Sequence, residues 1–376
     1  MKIIEIANVD FSLRHFLLPL MRALRARGHE VVGVCAEGPL LDDVRAEGFR
    51  IIPAPFARRV SPLAHIRAFF ALVDLLRAEA PDMVHAHMPI SGFLARLAAR
   101  WAGVPRIAFT CHGFIFNNRE GGWPQRALSL GMEFLGGKAT DIFLTVSTEE
   151  AADASRLHIA RNPVAVGNGR NPAIFHPDPA ARTRLRNALG TPPDRVVVLA
   201  VSRLVARKGY RELAAAMREV PHAELWVVGD RLDSDRGEDM VAMLRSAGLG
   251  DRLHLLGYRS DVAAVMAAAD IFALPSYFEG LPMSVIEAML TALPVVATRI
   301  RGPREQVVPG VTGLLVQPRD SAGLAAALRR LAADPDLRAA MGQAGRTRAL
   351  DLYDEAKVLA RTIDALGAGE PVAAAR

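Results

Sequence analysis

Two pairs of charged side chains stand out by type and spacing. Arg203 and Lys208 fall in VSRLVARKGY (201–210), directly behind an apolar run, and Gly209 follows the lysine. Glu279 and Glu287 fall in SYFEGLPMSVIEAM (276–289), separated by a segment that opens with Gly280, Leu281 and Pro282. Two fixed cations where a strand hands over to a helix can hold a diphosphate, because the first helical turn offers free N–H groups and a positive dipole end. The lysine is informative. Of the 46 basic residues only Lys2, Lys138, Lys208 and Lys357 are lysine, so position 208 selects a compact point charge in an arginine-rich chain. Arg207, between the two, reads as a solvated basic residue. A helix opening near Pro282 puts Glu287 in its second turn and Glu279 in the preceding loop, with the free N–H groups within 281–284, which Pro282 itself lacks, turned to a phosphate. Ionised carboxylates only accept hydrogen bonds, and one at each end of a ligand suits the hydroxyls of a sugar and a ribose.

Short strands and amphipathic helices must carry these loops. Residues 2–8, 30–36, 83–87, 106–111 and 141–147 read as strands buried on both faces, and 195–202, 223–229, 252–257, 270–276, 294–298 and 313–316 repeat the pattern. Segments 17–28 and 63–79 have helical spacing, and Gly28 and Gly103 stand where helices should stop. Two sets of βα units imply an α/β chain of two facing Rossmann-like domains with a cleft between them, binding ligands beyond the carboxyl ends of the strands. Pro172, Pro177 and Pro179 mark the break. The expected division is 1–175 and 176–350, with a helix at about 351–366 packing back on the first domain and a frayed tail at 367–376.

Several chemistries are set aside. No G-x-G-x-x-G follows the first strand and no Walker A loop occurs, which argues against dinucleotide dehydrogenases and P-loop ATPases. Asp233-Ser234-Asp235 spells a metal-binding D-x-D, but in DRLDSDRGED it reads as a solvated helix start. His85 and His87 alternate on a strand and share a face; with no third ligand at useful spacing, a structural or acceptor-side role is favoured over metal ligation. Cys111 should point to the other side of its strand from His112, into the core. Two cysteines exclude a disulfide framework, and no apolar run reaches the ~18–20 residues of a membrane span. The start, MKIIEIANVDF, lacks the apolar core of a signal peptide, so a cytoplasmic protein is expected.

Taken together, R-x4-K (Arg203, Lys208) and E-x7-E (Glu279, Glu287) resemble the retaining, GT-B-fold nucleotide-sugar glycosyltransferases of family 4. Val228–Gly229, Leu256–Gly257–Tyr258, Ala269–Ser276 and Pro294–Thr298 extend the likeness, and 16–31, 81–89, 110–114 and 167–177 are similar to its capsular and exopolysaccharide branch. The resemblance implies that Arg203 and Lys208 neutralise the donor diphosphate, Glu287 holds the ribose, Glu279 contacts the donor sugar, and His112 orients the reacting sugar. It further implies that the backbone of Gly280, Leu281, Pro282 and Met283 lines the phosphate and sugar, the N–H groups coming from the residues other than Pro282, with Gly229, Tyr258 and Arg259 around the nucleotide. In place of the Gly-Gly loop that many members carry after the first strand stands AsnValAspPheSerLeu (8–13), which leaves Asn8 and Asp10 as candidates for first-domain contacts. The implied enzyme moves a hexosyl or N-acetylhexosaminyl group, UDP-sugar favoured, to a glycan or polyprenyl-diphosphate-linked glycan of capsule, exopolysaccharide or O-antigen synthesis. It needs no metal and no cofactor, since side-chain cations and helix dipoles can stabilise the leaving diphosphate. The alternatives are a nucleotide-sugar 2-epimerase of the same fold and a catalytically silent binding subunit.

A net charge of +6 and a pI near 9.8 permit anionic partners without choosing one. Arg50, Arg58, Arg59, Arg67, Arg77, Arg96, Arg100 and Arg106 face only Asp74, Glu79 and Asp82 within 50–106, with Phe56, Phe69 and Phe70 among them. That stretch suggests a basic, partly aromatic face resting on an anionic membrane, a peripheral association on the inner side of the plasma membrane. Nucleic-acid binding has only the pI behind it and is not expected.

Overall fold

Strands β1 (Lys2–Ile6), β2 (Glu30–Cys35), β3 (Arg50–Pro53), β4 (Met83–His87), β5 (Arg106–Cys111), β6 (Ile142–Thr145) and β7 (Val164–Ala165) form one parallel sheet in the order β3-β2-β1-β4-β5-β6-β7. A second parallel sheet, ordered β10-β9-β8-β11-β12-β13, is built from β8 (Val196–Val201), β9 (Ala223–Val228), β10 (Leu253–Leu255), β11 (Ile271–Leu274), β12 (Val295–Thr298) and β13 (Gly313–Val316). This computed structural model describes residues 1–56, 62–118, 120–231, 235 and 237–369. The contacts divide the chain into Met1–Gly167 plus the residues from Val358 onward, and Asn168–Lys357. In each sheet the strand order reverses once, between β1 and β4 and between β8 and β11. Such a switch point is where open parallel sheets bind ligands.

The strands follow from composition. Val, Ile and Leu dominate them, because a parallel sheet covered by helices is apolar on both faces. In the first sheet Ile4, Ile6, Val84, Ala86, Ile107 and Phe109 line one core, while Ile3, Met83 and Ala108 join the other. Cys111 lies in the first of these, on the face opposite His112. The second core also takes Ile363, Leu366 and Ala368 from the carboxyl-terminal segment. Within the stretch expected as a frayed tail, Ala368 is 1% exposed and its carbonyl lies 3.1 Å from His29 Nε2; residues 370–376 lie outside those described.

Two strands had no clear signal in the sequence. β3 is four residues long and ends in proline, and β7 has two residues; both are outermost strands, which need little apolar length. The helix expected over 17–28 runs over Leu18–Arg25 and is preceded by a wide turn, Leu13–Leu17.

Pairing breaks up part of the expected basic face, while Arg67, Arg77 and Phe70 of that stretch stay exposed. Arg50 pairs with Glu79 and Arg100 with Asp141 at 2.8 Å, while Arg106 donates to the Leu366 carbonyl. Arg96 is fully buried: it donates to Glu133 at 3.0 Å and lies over the Phe109 ring. Phe56 is buried as well. Arg58 and Arg59 lie outside the described residues. This unit also exposes apolar side chains. Along the helix Trp123–Lys138, Trp123, Leu128, Phe134 and Leu135 all face solvent, and its single acidic residue is the buried Glu133.

Candidate active site

In the second unit the site begins with two loops that meet at the switch point. β8 ends at Val201, and the chain passes Arg203 and a single turn at Ala206–Lys208 before the helix Tyr210–Arg218. β11 ends at Leu274 and leads through Glu279 to the helix Met283–Leu290, with Pro282 at its cap. The Tyr277 amide donates to the Arg207 carbonyl at 2.8 Å, which ties one loop to the other. Gly209 (φ +74°) permits this: a Cβ there would stand 2.0 Å from the Pro275 carbonyl oxygen. The second loop is fastened elsewhere too. Thr298 Oγ1 donates to the Ser276 carbonyl, Asn168 Nδ2 to that of Leu281 at 2.8 Å, and Gln306 Nε2 to that of Pro282 at 3.0 Å.

All four charged residues distinguished by spacing lie here, and each has a partner. Lys208 Nζ is 2.6 Å from Glu279 Oε1, with both side chains nearly buried. Arg203 Nη1 is 2.6 Å from Asp235 Oδ1, but the arginine is 41% exposed. Glu287, in the second turn of its helix, accepts from Arg170 Nε at 2.7 Å. These pairs differ in strength. A pair with a solvent-exposed partner contributes about 0–1 kcal/mol, so Arg203 can exchange Asp235 for another anion at little cost. Breaking a largely buried pair such as Lys208–Glu279 costs more, so a ligand there is expected to join it rather than replace it.

Several expectations need revision. Arg207 is half-buried rather than solvated, and burial, with Arg203 beside it, pushes its guanidinium below the usual range. Of the D-x-D, Asp233 and Ser234 lie outside the described residues. Asp235 is no solvated helix start: its side chain is 11% exposed and bound to Arg203, and the next helix begins at Met240. Tyr258 is exposed beyond the turn at Gly257, whose carbonyl accepts from the Gly229 amide, and Arg259 is paired with Asp261. Spacing did not point to Arg170. It belongs to GNGRNP, far from Glu287 in sequence, and only its place as a lone cation before a proline-rich break could have drawn notice.

The first unit holds a separate polar cluster. On β1, β4 and β5 the residues of one face change from apolar to polar toward the carboxyl ends: Ile3 to Glu5, Met83 to His85 and His87, Ala108 to Thr110 and His112. The register sets Glu5 opposite His85, and His87 opposite Thr110. Glu5 is fully buried; its oxygens lie 3.1 Å from His85 Nδ1 and 2.9 Å from His87 Nε2. His87 Nδ1 is 3.1 Å from His112 Nε2, and His85 Nε2 is 2.8 Å from Thr110 Oγ1. Glu5 is thus the third group that sequence spacing did not offer, since it comes from a strand some eighty residues away. Its carboxylate and the two imidazoles are close enough to gather round a metal ion, but each is already engaged in this hydrogen-bonded set. Asp10 is buried and accepts from the Phe11 and Leu40 amides, while the Asn8 carbonyl accepts from the Ala36 amide. Met88, next to His87, has φ 66° and ψ 155°, a conformation that costs a non-glycine residue roughly 1–3 kcal/mol and is concentrated at functional sites.

Burial dominates the titration of this cluster. It pushes His87 down to about 4, with the charge of His85 adding to the effect and Glu5 opposing it. Burial, then His87 and His85, pushes His112 down to about 3. For Glu5 burial acts upward, but the two histidines outweigh it and hold the carboxyl at about 2.

Known proteins bear on both units. The family model "Glycosyl transferases group 1" matches residues 181–348, and "Glycosyl transferase 4-like domain" matches 13–169. EpsD of Bacillus subtilis, whose name describes it as a glycosyltransferase, is 30% identical over 96% of this chain and 95% of its own. An Escherichia coli UDP-Gal:alpha-D-GlcNAc-diphosphoundecaprenol alpha-1,3-galactosyltransferase is 28% identical over 80% of this chain and 79% of its own. In fold, sucrose-phosphate synthase from Thermosynechococcus elongatus matches with a TM-score of 0.83 at 22% identity, over 97% of this chain and 98% of its own. HepE from Anabaena, in complex with UDP and glucose, also reaches 0.83, at 20% identity over 98% and 99%.

Two outcomes are expected from this geometry. Unfolded histidine titrates near 6.5, whereas native His87 and His112 stay neutral down to about 4 and about 3. The unfolded chain therefore binds more protons across that window, and native stability falls with pH; Glu5 adds the same sign below 4.5. Thermal melts should show Tm dropping steadily from pH 6.5 to 4, with a shallower drop in His87→Phe; a flat wild-type profile contradicts the cluster. Gly209→Ala should cost about 1–3 kcal/mol of stability and weaken nucleotide binding, measured by denaturant melts and calorimetry.

Proposed function

Because this chain belongs to the GT-B-fold, family 4-type glycosyltransferases, we propose that it transfers a sugar from a nucleotide-sugar, UDP-sugar favoured, to a polyprenyl-diphosphate-linked glycan, with retention and without a metal. The observation that carries this reading is the meeting, at the β8/β11 switch point, of Lys208 and Arg203 with Glu279 and the capped helix Met283–Leu290. A departing nucleoside diphosphate gains charge as the glycosidic bond breaks, and preorganised cations stabilise that charge most where water is scarce. Lys208 would hold the diphosphate while Glu279 accepts from a sugar hydroxyl. Glu287, oriented by Arg170, would accept from the ribose. His112 stays neutral at physiological pH, which suits orienting a hydroxyl better than abstracting its proton.

The acceptor class rests on relatives. The E. coli enzyme named above acts on a diphosphoundecaprenol-linked sugar, and a Campylobacter jejuni relative, 26% identical over 94% of this chain and 95% of its own, is named for N,N'-diacetylbacillosaminyl-diphospho-undecaprenol as acceptor. A lipid-linked acceptor calls for contact with a membrane surface. Among the described residues no helix is long and apolar enough to cross one. The exposed apolar side of the helix Trp123–Lys138, with Arg126 and Lys138 as its charges, suits lying on one.

A screen of UDP- and GDP-sugars against an undecaprenyl-diphosphate-linked acceptor tests the reading, with product anomer assigned by NMR. Transfer should survive chelation. Lys208→Ala and Glu287→Gln should each lower kcat/KM by about 100-fold or more, with Tm lowered by loss of a buried pair but the native circular-dichroism spectrum kept; wild-type turnover in either rejects the site. For the membrane, Trp123→Ala/Leu128→Ala should reduce sedimentation with anionic liposomes several-fold while leaving turnover on a water-soluble acceptor unchanged. Binding equal to wild type would exclude this helix.

A further inference from the structure

We infer that Glu5 and His87 are positioning residues for His112: a buried hydrogen-bonded chain from one carboxylate fixes both imidazole tautomers and leaves His112 Nδ1 as an acceptor for a substrate hydroxyl. This rests on the reading that His112 touches substrate.

The chain determines itself proton by proton. An ionised carboxylate offers only lone pairs, so both ring nitrogens that face Glu5, His85 Nδ1 at 3.1 Å and His87 Nε2 at 2.9 Å, must carry hydrogen. A neutral imidazole has one N–H, which leaves His87 Nδ1 bare. His112 Nε2, 3.1 Å away, must then be the donor to it. The same rule applied once more leaves His112 Nδ1 bare. The His85 branch closes internally, because its bare Nε2 accepts from the Thr110 hydroxyl at 2.8 Å. The other branch leads out of the core: His85 is 0% and His87 2% exposed, whereas His112 is only part-buried.

The placement is costly for a purely structural purpose. Burying an ionised carboxylate costs several kcal/mol before its partners compensate, and apolar residues at positions 5 and 87 would extend the packing begun by Ile3 and Met83. The strained Met88 backbone follows His87 directly, and Ser91 Oγ donates to the His87 carbonyl at 3.0 Å. Several contacts therefore converge on holding one ring that passes its hydrogen bond outward to His112.

Nitrogen NMR of ring-labelled histidine in the full wild-type chain reads the tautomers without any substitution. The expected spectrum has His112 protonated at Nε2 and not at Nδ1, and His87 protonated at Nε2. His87→Phe should shift His112 toward a tautomer mixture and lower kcat by about 10–100-fold with donor KM little changed. In a double-mutant cycle, His87→Phe/His112→Ala should be no slower than His112→Ala alone. Three results overturn the proposal: His112 protonated at Nδ1 in the wild type, His87→Phe with unchanged kcat, or a stoichiometric divalent metal retained by wild-type protein and lost in Glu5→Gln. If instead His112→Ala turns over like wild type while the tautomers are as expected, the fault lies in the substrate role of His112, and the positioning role falls with it.

Discussion

Parallel strands covered on both faces release polar side chains only where the strands run out, and ligands are met at the carboxyl ends. Arg203, Lys208 and Glu279 obey that constraint, each placed on a loop just past a strand. Glu5 does not: it lies inside a strand, and its carboxylate must be supplied with hydrogen-bond donors in place. His85 and His87 do so from the adjacent strand, and the register that pairs residue 5 with residue 85 makes it possible. A one-residue slip between β1 and β4 would send Glu5 and the histidines to opposite faces. The polar cluster therefore depends on strand pairing as strictly as the apolar core does.

The second unit solves a different problem. Its charged residues sit on loops, which are ordinarily mobile, yet the segment 276–282 receives hydrogen bonds from residues 168, 298 and 306 and gives one to residue 207. Gly302 lets a further loop approach so closely that a Cβ would stand 1.8 Å from the Gly280 carbonyl. Preorganisation of this kind is what electrostatic stabilisation requires, because donors that must first be gathered lose part of their effect to that cost. Arg203 is the exception, itself half exposed and able to exchange Asp235 for another anion.

Much of this was legible in the sequence, for reasons that can be named. β4, β5 and β13 coincide with apolar runs read directly from the chain, since a strand buried on both faces leaves an uninterrupted signature. Arg203, Lys208, Glu279 and Glu287 were recognisable because each lies on the segment that leaves a strand end, in its loop or in the helix that follows, where spacing along the chain approximates spacing in the fold. What spacing could not supply were contacts between distant segments. Glu5 looks like a solvated strand residue until β4 is laid beside it, and Arg170 meets Glu287 only once the chain folds back on the helix Met283–Leu290. Counting charges along 50–106 likewise missed two pairings, since Arg96 and Arg100 find their carboxylates outside that window, at Glu133 and Asp141.

The bond from the Tyr277 amide to the Arg207 carbonyl, together with the missing side chain at Gly209, has a consequence for anyone re-engineering donor choice. The segment 276–282 cannot be transplanted alone from a relative, because its backbone is cut to fit the turn at 206–209. A graft has to bring both pieces, with a glycine at the seam, and the two loops behave as one exchangeable cassette.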